Sequence, residues 1–205
     1  MSQTPITSRS PSRANAVLSR SRAANEYYPT PPEATRALLS AESFSGSIWE
    51  PACGEGWISQ VLIDAGHDVV STDLHEYGFG TAGIDFLKTE ESLARNIATN
   101  PPYGSGLADR FVRKSLQHIE QTGGCAAMLL NIASLCHPSR HDSFVRRPPA
   151  VIYALDSCVC LPNGKTEQAT AHTFRHRYCW AIWHAAKSSR TEMVWLTTRD
   201  YQLAA

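Results

Sequence analysis

Short apolar runs alternate with amphipathic stretches along this chain. Ser47-Ile48-Trp49-Glu50 predicts a brief strand, and Trp57 to Ala65 a helix with Leu62 and Ile63 on its buried side, closed by Gly66. Asp68-Val69-Val70-Ser71-Thr72-Asp73 predicts the next strand, and Ile97-Ala98-Thr99 the end of another. Gly104 to Gln121 has helical spacing: Leu107, Phe111, Leu116 and Ile119 form the inner side, and Arg110, Arg113 and Lys114 a basic outer face. Cys125 to Ile132 is nearly continuous apolar sequence, as in a strand buried on both faces of a parallel sheet. Ala150 to Leu155 and Arg177 to Trp183 predict late strands forming an antiparallel pair, with Glu192 to Leu196 as a short final strand. Upstream, Ala34 to Ala41 predicts a helix with Ala34, Leu38 and Leu39 inward. Thr30 is its expected N-cap, with Pro31 at the first helical position and Glu33 three residues past the cap. Strands alternating with helices make this an α/β chain. No internal repeat is evident.

The chain has 205 residues, enough for one domain, and its 42% apolar content supports a full core. Residues 1–25 are rich in Ser, Pro, Ala and Arg, with Arg9, Arg13, Arg20 and Arg22 meeting no acid before Glu26. They predict a disordered basic arm, either a solvated tail or a segment that tracks phosphates, ahead of a domain at 26–205. The apolar runs are too short to span a bilayer, and the N-terminus has no secretory h-region. Six cysteines include no C-x-x-C pair. Free thiols in a reducing cytoplasm are expected, and no metal.

The first strand runs into Pro51-Ala52-Cys53-Gly54-Glu55-Gly56, then a helix, then a strand ending at Asp73. A glycine turn lets a ligand approach the backbone, and an acid at the end of the second strand suits ribose hydroxyls. This arrangement predicts a nucleoside-containing cofactor. A nicotinamide enzyme usually carries a third glycine where this chain has Ser59. Glu50, beside the turn, would repel a pyrophosphate but suits a ligand with sulfonium and ammonium charges. S-adenosylmethionine is therefore the expected cofactor.

Thr99-Asn100-Pro101-Pro102-Tyr103 follows a strand end. Its prolines fix φ and remove two N–H donors, leaving an amide side chain, rigid carbonyls and an aromatic face suited to a flat amino-bearing ring. The same residues also make an ordinary turn. Asp85, in Gly83-Ile84-Asp85-Phe86-Leu87, is either an acceptor for an adenine amino group with Phe86 on the ring, or a helix cap. Tyr27 and Tyr28 are core residues or a pocket wall. Residues 135–149, polar and basic, form a loop at the mouth of the site or a plain surface connection. Arg140, Arg146, Arg147, Arg175 and Arg177 are the candidate nucleic-acid contacts.

In combination these motifs resemble the adenine-N6 DNA methyltransferases, especially small phage-encoded types. The matching residues are Tyr28-Pro29-Thr30-Pro31-Pro32, Glu50 to Gly56, Asp73, Gly83 to Leu87, Asn100 to Tyr103 and the late Trp180-Ala181-Ile182-Trp183. The resemblance implies a Rossmann-like class I methyltransferase fold, a seven-stranded mostly parallel sheet with a C-terminal antiparallel strand. It implies that Tyr28, Thr30, Glu50, Cys53 and Gly54 hold the methionine end of the cofactor, Asp73 the ribose, and Asp85 with Phe86 the adenine. Asn100, Pro101, Pro102 and Tyr103 would take the target base, with Tyr103 stacked on it. The implied partner is nucleic acid, DNA first; RNA adenine, a protein glutamine, or a non-catalytic binding module remain alternatives. Only the 133–149 and 156–176 loops are available for sequence recognition, so recognition is loose, a protein partner supplies it, or the substrate is not duplex DNA. Oligomeric state is left open.

Overall fold

The computed structural model describes residues 27–160 and 177–201. The expected arm at 1–25 and Arg175 lie outside the described residues. The chain forms α1 (Pro32–Ala41), β1 (Ile48–Glu50), α2 (Trp57–Asp64), β2 (Val69–Ser71), β3 (Asn96–Thr99), α3 (Leu107–Thr122) and β4 (Cys125–Asn131). Two short helices, α4 (Ile132–Leu135) and α5 (His141–Arg146), precede β5 (Val151–Leu155), β6 (Tyr178–His184) and β7 (Glu192–Leu196).

The strands make one seven-stranded sheet in the order β2-β1-β3-β4-β6-β5-β7. β1 to β4 are parallel, β6 runs antiparallel to both β4 and β5, and β7 adds parallel to β5. The expected late antiparallel pair is therefore β5 with β6, and the single reversed strand lies inside the sheet rather than at its edge.

Alternation along β4 and β6 builds a core on each face. Cys125, Ala127, Leu129, Trp180 and Ile182 pack with Ala34 and Leu38 of α1 and Ile58 and Leu62 of α2. Ala126, Met128, Ala181 and Trp183 pack on the other side with Phe111, Val112 and Ile119 of α3. The buried indoles find acceptors, as a buried N–H requires: Trp49 on Thr72 Oγ1 at 2.9 Å, Trp180 on the Ala34 carbonyl at 2.9 Å, and Trp183 on the Arg147 carbonyl at 3.0 Å.

Three local expectations are corrected. In α2 the inner stripe is Ile58, Val61 and Leu62, while Ile63, a further 100° around, is 43% exposed. Helix α1 begins at Pro32 with Pro31 as N-cap and no side-chain cap, because the Thr30 hydroxyl accepts from Asn100 instead. Residues 135–149 are largely helical rather than a loop.

Candidate active site

The connection after β1 crosses one face of the sheet through α2, and the connection after β3 crosses the other through α3. β1 and β3 are neighbours, so the chain diverges at their carboxyl ends and leaves a crevice there. Glu50, which ends β1, and Asn100, directly after β3, both line it.

Glu50 is 1% exposed. Its Oε2 accepts from Ser59 N at 2.7 Å and from the Ser59 hydroxyl, which lies 2.6 Å from Ser71 Oγ. Gly56, the N-cap of α2, has no side chain, so this carboxylate satisfies the N3 amide in its place. Burial pushes the Glu50 carboxyl up to about 8; the serine hydrogen bonds oppose this, and the nearby Asp73 charge adds to it.

Asp73 ties the glycine turn to the end of β2: Oδ2 accepts from Gly54 N at 2.9 Å and Oδ1 from His75 N at 2.8 Å. It still lines the crevice. Gly54 has φ +52°, and a Cβ there would lie 2.1 Å from the Tyr27 ring. The space above the turn is therefore filled by an aromatic ring. Tyr27 accepts from Glu55 N at 3.1 Å and stacks on Tyr77 at 4.6 Å between ring centres. Cys53 is buried, its thiol raised to about 12 by burial and by the charges of Glu50 and Asp73, so it is no nucleophile.

Asp85 caps the turn Phe86–Lys88 through Leu87 N at 3.1 Å, pairs with Lys88 at 3.1 Å, and also lines the crevice. The helix-cap reading of this residue is thus observed, on a side chain that also borders the crevice. Phe86 is 2% exposed and packs between Trp49 and Phe111, with ring centres 5.1 and 4.9 Å away. It forms the floor of the crevice rather than a free stacking face. Ile84 and Leu74 supply further apolar lining.

Asn100 is held on both sides. Its Nδ2 donates to the Tyr28 carbonyl at 2.9 Å and to Thr30 Oγ1 at 3.0 Å, and its Oδ1 accepts from Tyr103 OH at 2.7 Å. Tyr103 OH also lies 2.8 Å from the Leu129 carbonyl, so its one proton is shared between two oxygens. That carbonyl lies just past Thr99↔Met128, the last β3–β4 register pair. The Tyr103 ring packs near Tyr178 at 6.2 Å and is not among the residues lining the crevice. The expected stacking role is corrected on this point: the ring is turned inward, and the hydroxyl fixes the Asn100 amide. Pro101 and Pro102 do line the crevice. Thr30 and the Tyr28 backbone, expected to grip a cofactor, are engaged with Asn100.

The candidate arginines divide. Arg140 pairs with Asp109 and bonds Ser134, and Arg147 donates to the carbonyls of His184 and Ala185; both are 8% exposed. Their guanidinium groups serve the fold, which corrects their expected role as nucleic-acid contacts. Arg146 and Arg177 are exposed. Sequence inspection missed Leu74, His75 and Tyr77, which line the crevice from a stretch with no periodicity to mark them. Position directly after Asp73 was the only available signal.

Among the described residues, those around the crevice include three carboxyl groups, Glu50, Asp73 and Asp85, and no lysine or arginine. Such a lining suits a cationic or neutral ligand and disfavours a pyrophosphate. Among the described residues, no group of three or more His, Cys, Asp or Glu is placed to hold a metal ion, and no helix is long and apolar enough to cross a membrane.

No family model and no curated protein matches the chain. Solved structures do. A protein assigned as an RNA methyltransferase from Pyrococcus horikoshii is 12% identical, with TM-score 0.56, over 82% of this chain and 94% of its own. A protein assigned as the modification subunit of a type I restriction enzyme from Vibrio vulnificus YJ016 is 13% identical, with TM-score 0.55, over 83% of this chain and 47% of its own. This chain thus spans about half of that subunit. A TehB-like SAM-dependent methyltransferase from Corynebacterium glutamicum is 15% identical, with TM-score 0.48, over 77% of this chain and 88% of its own. The first two similarities, with the strand order above, show a Rossmann-like α/β fold shared with those structures.

Proposed function

We propose that this chain transfers a methyl group from S-adenosylmethionine to the exocyclic N6 nitrogen of adenine in DNA. The observation that carries this reading is the joining of two chemistries in one crevice: three carboxyl groups with no lysine or arginine among the described residues, and a clamped asparagine amide. Glu50 suits the cationic amino-acid end of the cofactor, Asp73 its ribose, and Asp85 its adenine amino group, above the apolar floor of Phe86. The bound cofactor supplies an electrophilic methyl on sulfur.

The exocyclic nitrogen of adenine is a weak nucleophile because its lone pair is delocalised into the ring. An acceptor on each N–H would return electron density to the nitrogen and aim it. Tyr103 occupies one lone pair of Asn100 Oδ1; the second is free to accept an N6–H. The Pro101 carbonyl is the other acceptor assigned. Transfer would form the N–C bond as the sulfur–methyl bond broke with its electrons on sulfur, while the Asn100 amide and the Pro101 carbonyl held the amino group until its proton left to solvent. Positioning and fixed dipoles carry the rate, with no covalent enzyme intermediate. A paired adenine cannot reach this crevice, so it is flipped out or already unpaired. With few loops available for recognition, target choice is loose or comes from a partner protein.

The test is transfer of labelled methyl from S-adenosylmethionine to duplex DNA, single-stranded DNA, RNA and a glutamine peptide, with the product digested to its monomers. Label in N6-methyladenine from DNA is the expected result. Label confined to RNA adenine or to glutamine would replace the DNA reading, and absence of cofactor binding would end the enzymatic one.

A further inference from the structure

Charge is divided across the sheet. From Glu42 to Glu91, through β1, α2, β2 and the loops beyond, Lys88 is the only lysine or arginine. From Arg95 to Arg199 basic residues outnumber acidic ones. The crevice lies on this boundary, because β1 and β3 are neighbours. A polyanion is therefore repelled from the cofactor side and drawn toward the side of α3.

Helix α3 starts at the crevice, where Leu107 and Phe111 line it. On its outward side Arg110 and Arg113 are exposed and Lys114 half-exposed, at the i, i+3, i+4 spacing of one helical face. Asp109, the acid beside them, is neutralised by the buried Arg140. Among the described residues, none of these three cations is paired with a carboxylate, whereas Arg147, on the inner side of the neighbouring groove, has Glu120 at 3.7 Å. Arg146 on α5 is exposed as well, but Arg147 next to it is bound to the carbonyls of His184 and Ala185. His184 pairs with Cys125 at the start of β4, so α5 leads away from the crevice.

We propose that the outer face of α3, through Arg110, Arg113 and Lys114, is the track that holds the phosphate backbone of a DNA strand beside the crevice. The proposal rests on the DNA reading above and adds the polarity of the complex: backbone over α3, cofactor under the acidic half. Its contacts go to phosphate and carry no sequence information, in keeping with loose recognition.

The experiment measures binding of the full-length protein to a labelled adenine-containing single-stranded oligonucleotide between 50 and 200 mM salt. Each phosphate contact contributes about 0.7 to the slope of log affinity against log salt for a single strand. The double variant Arg110→Ala/Arg113→Ala is expected to lower that slope by about 1.4 and to weaken binding at low salt at least about tenfold. Lys187→Ala/Arg190→Ala, in the β6–β7 connection at the opposite end of the sheet, is expected to leave both unchanged. S-adenosylmethionine affinity stays the same in both variants, which also shows that they fold. An unchanged slope in the α3 variant, a loss confined to the β6–β7 variant, or equal displacement of the oligonucleotide by polyglutamate would overturn the track while leaving the DNA reading in place. A wild-type protein that binds cofactor but no oligonucleotide would remove both.

Discussion

The two sides of the crevice are built in different ways. On the side proposed for the cofactor, Glu50 is held by Ser59 and Asp73 by Gly54 and His75, all within the stretch from β1 to the turn after β2. On the side proposed for the methyl acceptor, Asn100 is held by Tyr28 and Thr30 from about seventy residues upstream and, through Tyr103, by Leu129 on the next strand. The cofactor side is thus a locally closed unit. The acceptor side exists only once distant segments have docked. Damage to one side should therefore leave the other working, which makes the comparison breakable.

The largest effect is expected from Asn100→Ala. Loss of the amide oxygen should lower methyl-transfer turnover by roughly 10²–10³, the range for a preorganised hydrogen-bonding group. Cofactor affinity, measured by calorimetry, should stay within about twofold, because Glu50 and Asp73 do not depend on Asn100. A parallel collapse of affinity would show that the two sides are one cooperative unit.

Glu50→Gln tests the other side. At pH 8 it should weaken S-adenosylmethionine binding about 10- to 100-fold, the scale of a hydrogen bond to a charged group. It should also change stability without ligand. The folded carboxyl titrates near 8 against an ordinary 4.5, so the folded state retains a proton that the unfolded state releases between those values. Wild-type stability should accordingly fall as pH rises from about 4.5 to 8, and Glu50→Gln should remove that slope. Denaturant titrations across this range measure it, and equal slopes in both proteins would mean that Glu50 is ionised throughout.

This division also explains what the sequence made visible. Strand, glycine turn, helix and terminal acid fall within Ile48 to Asp73, and their contacts are short-range, so the turn and both carboxylates were legible from local pattern. The Asn-Pro-Pro-Tyr loop was legible as a motif but not in its geometry. Nothing near Tyr103 indicates that its hydroxyl would reach Leu129, because that depends on where β4 lies relative to the end of β3. Thr30 looked like a helix cap because Pro31 and Glu33 complete that local pattern; a partner seventy residues away won. Arg140 and Arg147 looked like nucleic-acid contacts because composition cannot reveal Asp109 or the end of β6.

Gly54→Ala perturbs the point where the locally closed unit meets a distant segment. The new Cβ would lie 2.1 Å from the Tyr27 ring at a φ of +52°. Strain of about 1–3 kcal/mol is expected, read as a loss of cofactor affinity of about tenfold. Adding Tyr27→Ala removes the clash but not the backbone strain, so it should recover part of the loss. No recovery would assign the whole effect to the turn itself.

The smallest effect separates two roles for Tyr103. If the ring acted by stacking on the target base, Tyr103→Phe would be neutral in turnover and Tyr103→Ala would raise KM for DNA. The structure places the ring inward and the hydroxyl on Asn100 Oδ1 at 2.7 Å. Removing that hydroxyl leaves the Leu129 carbonyl without this donor and lets the amide rotate. A net hydrogen bond of about 1 kcal/mol then translates into a roughly fivefold fall in kcat. KM for DNA and cofactor affinity should be unchanged, because neither ligand loses a direct contact. A kcat equal to wild type in Tyr103→Phe, with a raised KM in Tyr103→Ala, would return the residue to the base and show that the inward ring swings out when substrate binds.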